Sequence, residues 1–129
     1  MQTISFPITA VFVALLSLML VAISVRVTVL RARKKISFFD GGDPELGRAL
    51  RAQGNFIEYV PLALALMGLI EVLGARPWLV YAFGAVLLAA RLVHAWGLYG
   101  DVFKARVAGT STTWFLLAAG ALTVLVLVA

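Results

Sequence analysis

From Met1 to Val25 the chain carries no charged side chain. A helix needs about 20 apolar residues to cross the hydrocarbon core of a bilayer, and this run exceeds that. Lipid offers no hydrogen bonds, so the backbone of such a run must satisfy itself, which a helix does alone. The positive charges come after the run, at Arg26, Arg31, Arg33, Lys34 and Lys35. A cleaved secretory signal has the reverse order. The expectation is an uncleaved first helix over about residues 4–31, with its N-terminus outside. Pro7 falls near its start, where a missing N–H does little harm.

The rest of the chain repeats the theme. Asp40-Gly41-Gly42 is a turn signal, and Asp43-Pro44-Glu45 reads as a helix start. Asp43 is the expected N-cap, Pro44 the first helical residue and Glu45 an acid suited to the first turn. A second helix is expected over about 44–73, with Pro61 inside it removing a backbone hydrogen bond from the Ile57 carbonyl. Gly74-Ala75-Arg76-Pro77 breaks the pattern, and a third helix follows over 77–99. Gly100 to Thr110 reads as a basic turn before a fourth helix over 111–128. The fold class expected is all-α: an integral membrane four-helix bundle, up-down-up-down.

Composition narrows the functions. Hydrophobic residues make up 63% of the chain and its mean hydropathy is +1.03, whereas soluble domains are about half apolar. The net charge of +5 does not point to nucleic acid, because the basic residues cluster beside apolar segments where orientation explains them. The absence of cysteine excludes disulfides, thiolate metal sites and a protein thiol nucleophile. With His94 the single histidine, no metal site is expected. The first and third turns hold most of the Lys and Arg, and the second holds Arg76 alone. The positive-inside rule then places those two turns in the cytoplasm of a plasma (inner) membrane protein and both termini outside.

Polar residues interrupt the second and third helices. Arg51, Asn55 and Glu58 fall at i, i+4 and i+7, one helix face, with Arg48 a turn earlier. Ionisable groups at such depth usually face a bundle interior or a wet cavity. At 1.5 Å per residue, Asn55 lies about 12 Å and Glu58 about 16 Å deep from the cytoplasmic side. Arg91 and His94 come to about 14 Å and about 9 Å. Equal depth on antiparallel helices predicts that Glu58 and Arg91 pair, directly or across a subunit boundary. Each feature has a plainer reading. A buried ion pair can be purely structural, His94 can be a helix-packing residue, and Trp78, Trp96, Trp114 and Tyr81 can be interfacial anchors. Gly84 and Gly97 read as close-packing positions. The five polar residues gather in one half of the bundle, more than a structural pair requires.

At these residues the sequence resembles the MAPEG family (membrane-associated proteins in eicosanoid and glutathione metabolism). The motifs are Arg51-Ala52-x-x-Asn55-x-x-Glu58 with Pro61, and Arg91-x-x-His94. Asn55-Phe56-x-Glu58-Tyr59-Val60-Pro61 and His94-Ala95-x-Gly97 are most similar to its bacterial inner-membrane branch. The resemblance implies one domain over 1–129 and a homotrimer with glutathione, the co-substrate, bound between subunits and reached from the cytoplasm. It implies that Arg51, Asn55, Glu58, Arg91 and His94 hold glutathione, with Tyr99 as a further contact. Arg106 matches an arginine near the start of the fourth helix that stabilises the glutathione thiolate.

Two functions follow. One is a membrane glutathione transferase or peroxidase acting on a lipophilic small molecule. The other is a non-catalytic member serving as a ligand-binding or assembly module. A transporter is set aside, because one polar cluster without an internal repeat shows no through-path.

Overall fold

The computed structural model describes residues 5–129. They form four helices: α1 (Pro7–Lys34), α2 (Pro44–Val72), α3 (Pro77–Tyr99) and α4 (Phe103–Val128). All four are long and apolar enough to cross a membrane. The helices contain 23 to 29 residues, which gives lengths of about 35 to 44 Å. The expected first-helix start at residue 4 lies outside the described residues.

Local chemistry sets the ends. Proline occupies the first turn of α1, α2 and α3, where its missing N–H has no partner to lose. Asp43 caps α2, its carboxylate accepting from Leu46 N at 2.8 Å. Lys34 Nζ lies 2.6 Å from the same side chain and 3.0 Å from Glu45. These bonds tie the end of α1 to the start of α2. α1 continues to Lys34 rather than ending near residue 31, since Arg31, Arg33 and Lys34 complement the negative end of its dipole.

The N-terminus of α1 is capped from a distance. Phe6 supplies no side-chain cap. Instead, Glu71 near the end of α2 accepts from Ile8 N at 2.8 Å and Thr9 N at 2.7 Å. The α2–α3 turn beside it is closed by Gly74 at φ 84, a backbone conformation open to glycine.

The fourth helix begins at Phe103, eight residues before the expected Ser111. The chain reverses within Gly100–Val102, where Asp101 has φ 55 and Val102 N donates to Gly97 O at 2.8 Å. Lys104, Arg106, Gly109 and Thr110 broke the apolar pattern, yet tertiary contact holds this segment helical. A Cβ on Gly97 would strike the Arg106 backbone N, and one on Gly109 would lie 2.6 Å from Ala90 O. The two helices approach too closely for side chains there, the contact that small residues allow between spans.

α2 and α3 form the centre, with α1 packed on both and α4 packed on both. Among the described residues α1 and α4 do not touch. The core runs through Leu16, Phe56, Val60, Met67, Ile70, Val80 and Leu87. Gly84 lets the Phe12 ring lie on the α3 backbone. The outward faces are also apolar, with Leu18, Leu62, Phe115, Leu122 and Val126 exposed, as expected where lipid is the solvent.

Candidate functional site

One cavity of ≈ 430 Å³ combines charge and burial. α2 contributes Arg51, Asn55 and Tyr59, α3 contributes His94, and α4 contributes Arg106, Val107, Thr110, Ser111 and Trp114. Arg51, Val107, Ser111 and Trp114 are exposed, so the cavity opens on the side of the bundle between α2 and α4. None of the lining side chains is acidic. The chemistry is that of an anion site: two guanidinium groups, an imidazole, hydroxyls and one amide, with an aromatic wall. Tyr59 and Trp114 make that wall, their rings edge to face at 6.3 Å.

The helical period explains the lining. Arg51, Asn55 and Tyr59 are successive i, i+4 positions of α2, and Val107, Ser111 and Trp114 follow i, i+4, i+7 on α4. Gly97 and Gly109 bring α4 close enough for Arg106 to join His94 at the same cavity.

Asn55 is 3% exposed, and its Oδ1 has no hydrogen-bond partner. A buried acceptor of that kind calls for a donor. His94 is buried too, and its Nδ1 lies 3.0 Å from Arg91 Nη2. A guanidinium only donates, so Nδ1 accepts and the ring proton sits on Nε2. Arg91 also donates to Thr113 Oγ1 at 3.4 Å, and Thr113 donates to Gly109 O at 2.8 Å. The guanidinium carbon lies 5.6 Å from the Phe56 ring centre, a cation–π contact. This chain locks α3 to α4 directly behind the cavity.

The structure therefore divides the residues singled out from sequence. Arg51, Asn55, His94 and Arg106 line one cavity. Arg91 stands behind His94 and does not line it. Glu58 pairs with Arg51 at 3.2 Å on the outer face of α2, with both side chains about half exposed. The expected Glu58–Arg91 pair is absent within the chain. Depth along antiparallel helices set the two at one height, but Arg91 turns inward to α4 while Glu58 meets Arg51 on its own helix. Tyr99 lies apart, its ring 4.4 Å beneath the Arg26 guanidinium on the α1 side. Tyr59, Thr110, Ser111 and Trp114 were not foreseen as lining. Tyr59 sits one turn beyond Asn55 and follows from the same i+4 argument; Val107 and Thr110 precede the expected start of the fourth helix, while Ser111 and Trp114 lie within it, Trp114 read as an interfacial anchor.

A model of the MAPEG family matches residues 9–126. The chain belongs to the MAPEG family. Among MAPEG relatives, it is similar to the inner membrane protein YecN of Escherichia coli K12, with 40% identity over 107 residues. That match covers 83% of this chain and 82% of the relative. YecN of Escherichia coli O6:H1 matches equally, at 40% identity. The MAPEG match spans all four helices, including the whole of the cavity lining.

Proposed function

We propose that this MAPEG protein binds glutathione in the α2–α3–α4 cavity and activates its thiol for attack on a lipophilic electrophile. One observation carries the reading: a cationic cavity with an unpartnered buried amide oxygen opens sideways among lipid-facing helices. Glutathione presents two carboxylates, an ammonium, two amides and a thiol. Arg51 suits a carboxylate, which guanidinium groups hold in paired, charge-assisted bonds. Asn55 Oδ1 suits an N–H donor, and His94 Nε2–H an acceptor. Glu58, held by Arg51, is placed to take the ammonium at the rim.

Arg106 is assigned to the sulfur. A free thiol has a pKa of about 8.5, and an adjacent cation lowers it. The thiol proton leaves to solvent. The sulfur lone pair then forms a bond to the electrophilic carbon, and the electrons displaced there leave with a departing group or take up a proton. The apolar rim around Val107 and Trp114 would admit a lipophilic partner from the bilayer.

The exposed Arg51–Glu58 pair supports an oligomer. A charged pair facing acyl chains is costly, and a neighbouring protomer in a homotrimer would cover it. The cavity lies at the end of the bundle near the basic α1–α2 turn, so the positive-inside rule favours access from the cytoplasm, with both termini external.

A second reading keeps the ligand and drops the chemistry. Tyr99 does not reach the cavity, which leaves Arg106 without a hydroxyl from that residue to help hold a thiolate. Glutathione titration by calorimetry in detergent, with thiolate ultraviolet absorbance, separates the two. The parent is expected to bind and show thiolate, and Arg106→Ala to bind without it. Binding without thiolate in the parent would select the non-catalytic ligand-binding reading, and no binding would remove both glutathione readings and leave the assembly module.

A further inference from the structure

The turn between α1 and α2 carries charge and aromatic surface that the cavity does not use. Lys35 adopts φ 56 and closes α1, its N–H bonded to Arg31 O. The Arg31 guanidinium in turn donates to Phe39 O at 2.9 Å and Ile36 O at 3.3 Å. The turn is therefore braced in one shape. It encloses a shallow basin of ≈ 370 Å³ lined by Arg31, Lys35 and Ser37 with Ala32 and Ile36.

The charge there is uncompensated. Lys34 is matched by Asp43 and Glu45. Arg31, Arg33 and Lys35 have no carboxylate within ion-pair distance among the described residues. The nearby carboxylate of Asp40 accepts from Gly42 N at 3.0 Å and lies against Gly47 at the start of α2. Beside this basic surface stand Phe38 and Phe39, 81% and 85% exposed. They are the most exposed large apolar side chains among the described residues. Val25 and Val29 extend an exposed apolar face up α1 toward them.

We infer that this turn is a site for an anionic phospholipid. Phe38 and Phe39 enter the boundary between headgroups and acyl chains, where apolar side chains beside a basic face insert. The lipid phosphate lies over Lys35 and the Ser37 hydroxyl, with Arg31 holding the basin open and Arg33 adding its charge from the neighbouring side of the helix end. A soluble anion would use the cations but leave two phenyl rings in water. A lipid uses both, and the apolar face of α1 leads its chains away. A headgroup of net negative charge is selected because Arg31 and Lys35 at the basin, and Arg33 beside it, carry no counter-charge among the described residues. This inference does not depend on what the α2–α4 cavity binds.

Native mass spectrometry of the detergent-purified protein tests it, using phosphatidylglycerol and phosphatidylcholine with identical acyl chains. The parent is expected to retain phosphatidylglycerol preferentially. In R33Q/K35Q the preference should fall about fivefold for each charge removed. In F38S/F39S retention of both lipids should fall together. Equal retention of the two lipids by the parent, or an undiminished preference in R33Q/K35Q, overturns the site. Displacement of phosphatidylglycerol by inorganic phosphate alone would also overturn it, showing a soluble-anion site. Melting curves of the variants, all at exposed positions, confirm that each compared protein is folded, and K35Q alone serves if a double variant is not.

Discussion

Arg91 Nη2 lies 3.0 Å from His94 Nδ1, and the two residues are 1% and 2% exposed. Because the guanidinium has no acceptor, the imidazole must carry its proton on Nε2. His94 is the single histidine in the chain, so uniform ¹⁵N-histidine labelling reports one ring. The expected spectrum shows a pyrrole-type Nε2 and a pyridine-type Nδ1. Arg91→Gln is expected to shift the ring toward a mixture of tautomers. An Nδ1–H signal in the parent would refute the arrangement.

Removing the acceptor should cost more than removing the ring. His94→Ala leaves Arg91 Nη2 buried without its partner, and an unsatisfied buried donor costs about 1–3 kcal/mol. His94→Gln can return an oxygen to the guanidinium and should recover most of that loss. Thermal unfolding in detergent would rank them parent, Gln, Ala. Equal melting of the Gln and Ala variants would show that volume, not the hydrogen bond, decides.

Helix contact at glycine gives a second stability prediction. Gly109→Ala would set a Cβ 2.6 Å from both Ala90 O and His94 Cβ. Overpacking of this kind costs about 1–3 kcal/mol, and here the strain falls on the helix that carries Arg106. Gly68→Ala, whose Cβ would meet Thr9 Cγ2 at an ordinary 3.7 Å, should be tolerated. Melting temperatures of the two variants in detergent, compared with ligand affinity, check both parts.

Much of the architecture was legible because lipid imposes a simple rule, and apolar runs from Met1, Tyr59, Pro77 and Ser111 announce four spans. What escaped has physical causes. Phe103–Thr110 is helical because Gly97 and Gly109 admit it against α3, and no local propensity states that. Height along a helix follows from residue number, but the direction in which a side chain turns does not. Depth thus suggests that Arg91 meets Glu58, directly or across a subunit boundary, whereas within the chain Thr113 and His94 take it. The Glu71 cap joins residues more than sixty apart in sequence, beyond any local pattern.

That cap makes its own prediction. Glu71→Ala removes both acceptors from the first turn of α1, and loss of a cap costs about 0.5–2 kcal/mol. Hydrogen exchange at the Ile8 and Thr9 amides should accelerate, while the middle of α1 stays protected. Glu71→Gln, retaining one oxygen, should fall between. Unchanged exchange at both amides in Glu71→Ala would show that the cap contributes nothing in the membrane protein.

At the opposite end, the α1–α2 turn should loosen with acid. The Lys34 ammonium bonded to Asp43, followed by the Leu46 N–H, holds the Asp43 carboxyl below its usual range. A group with a depressed folded pKa stabilises the fold above its unfolded value, about 3.9 for aspartate. That contribution is lost as pH falls through the lower, folded value. Exchange at Leu46 N, corrected for intrinsic rate, should stay constant from neutral pH and accelerate only in strong acid. Asp43→Asn keeps an acceptor for Leu46 N but no charge for Lys34, so its exchange should lack that acid step. An acid step persisting in Asp43→Asn would assign the loosening to another carboxylate, Glu45 being the one that also meets Lys34.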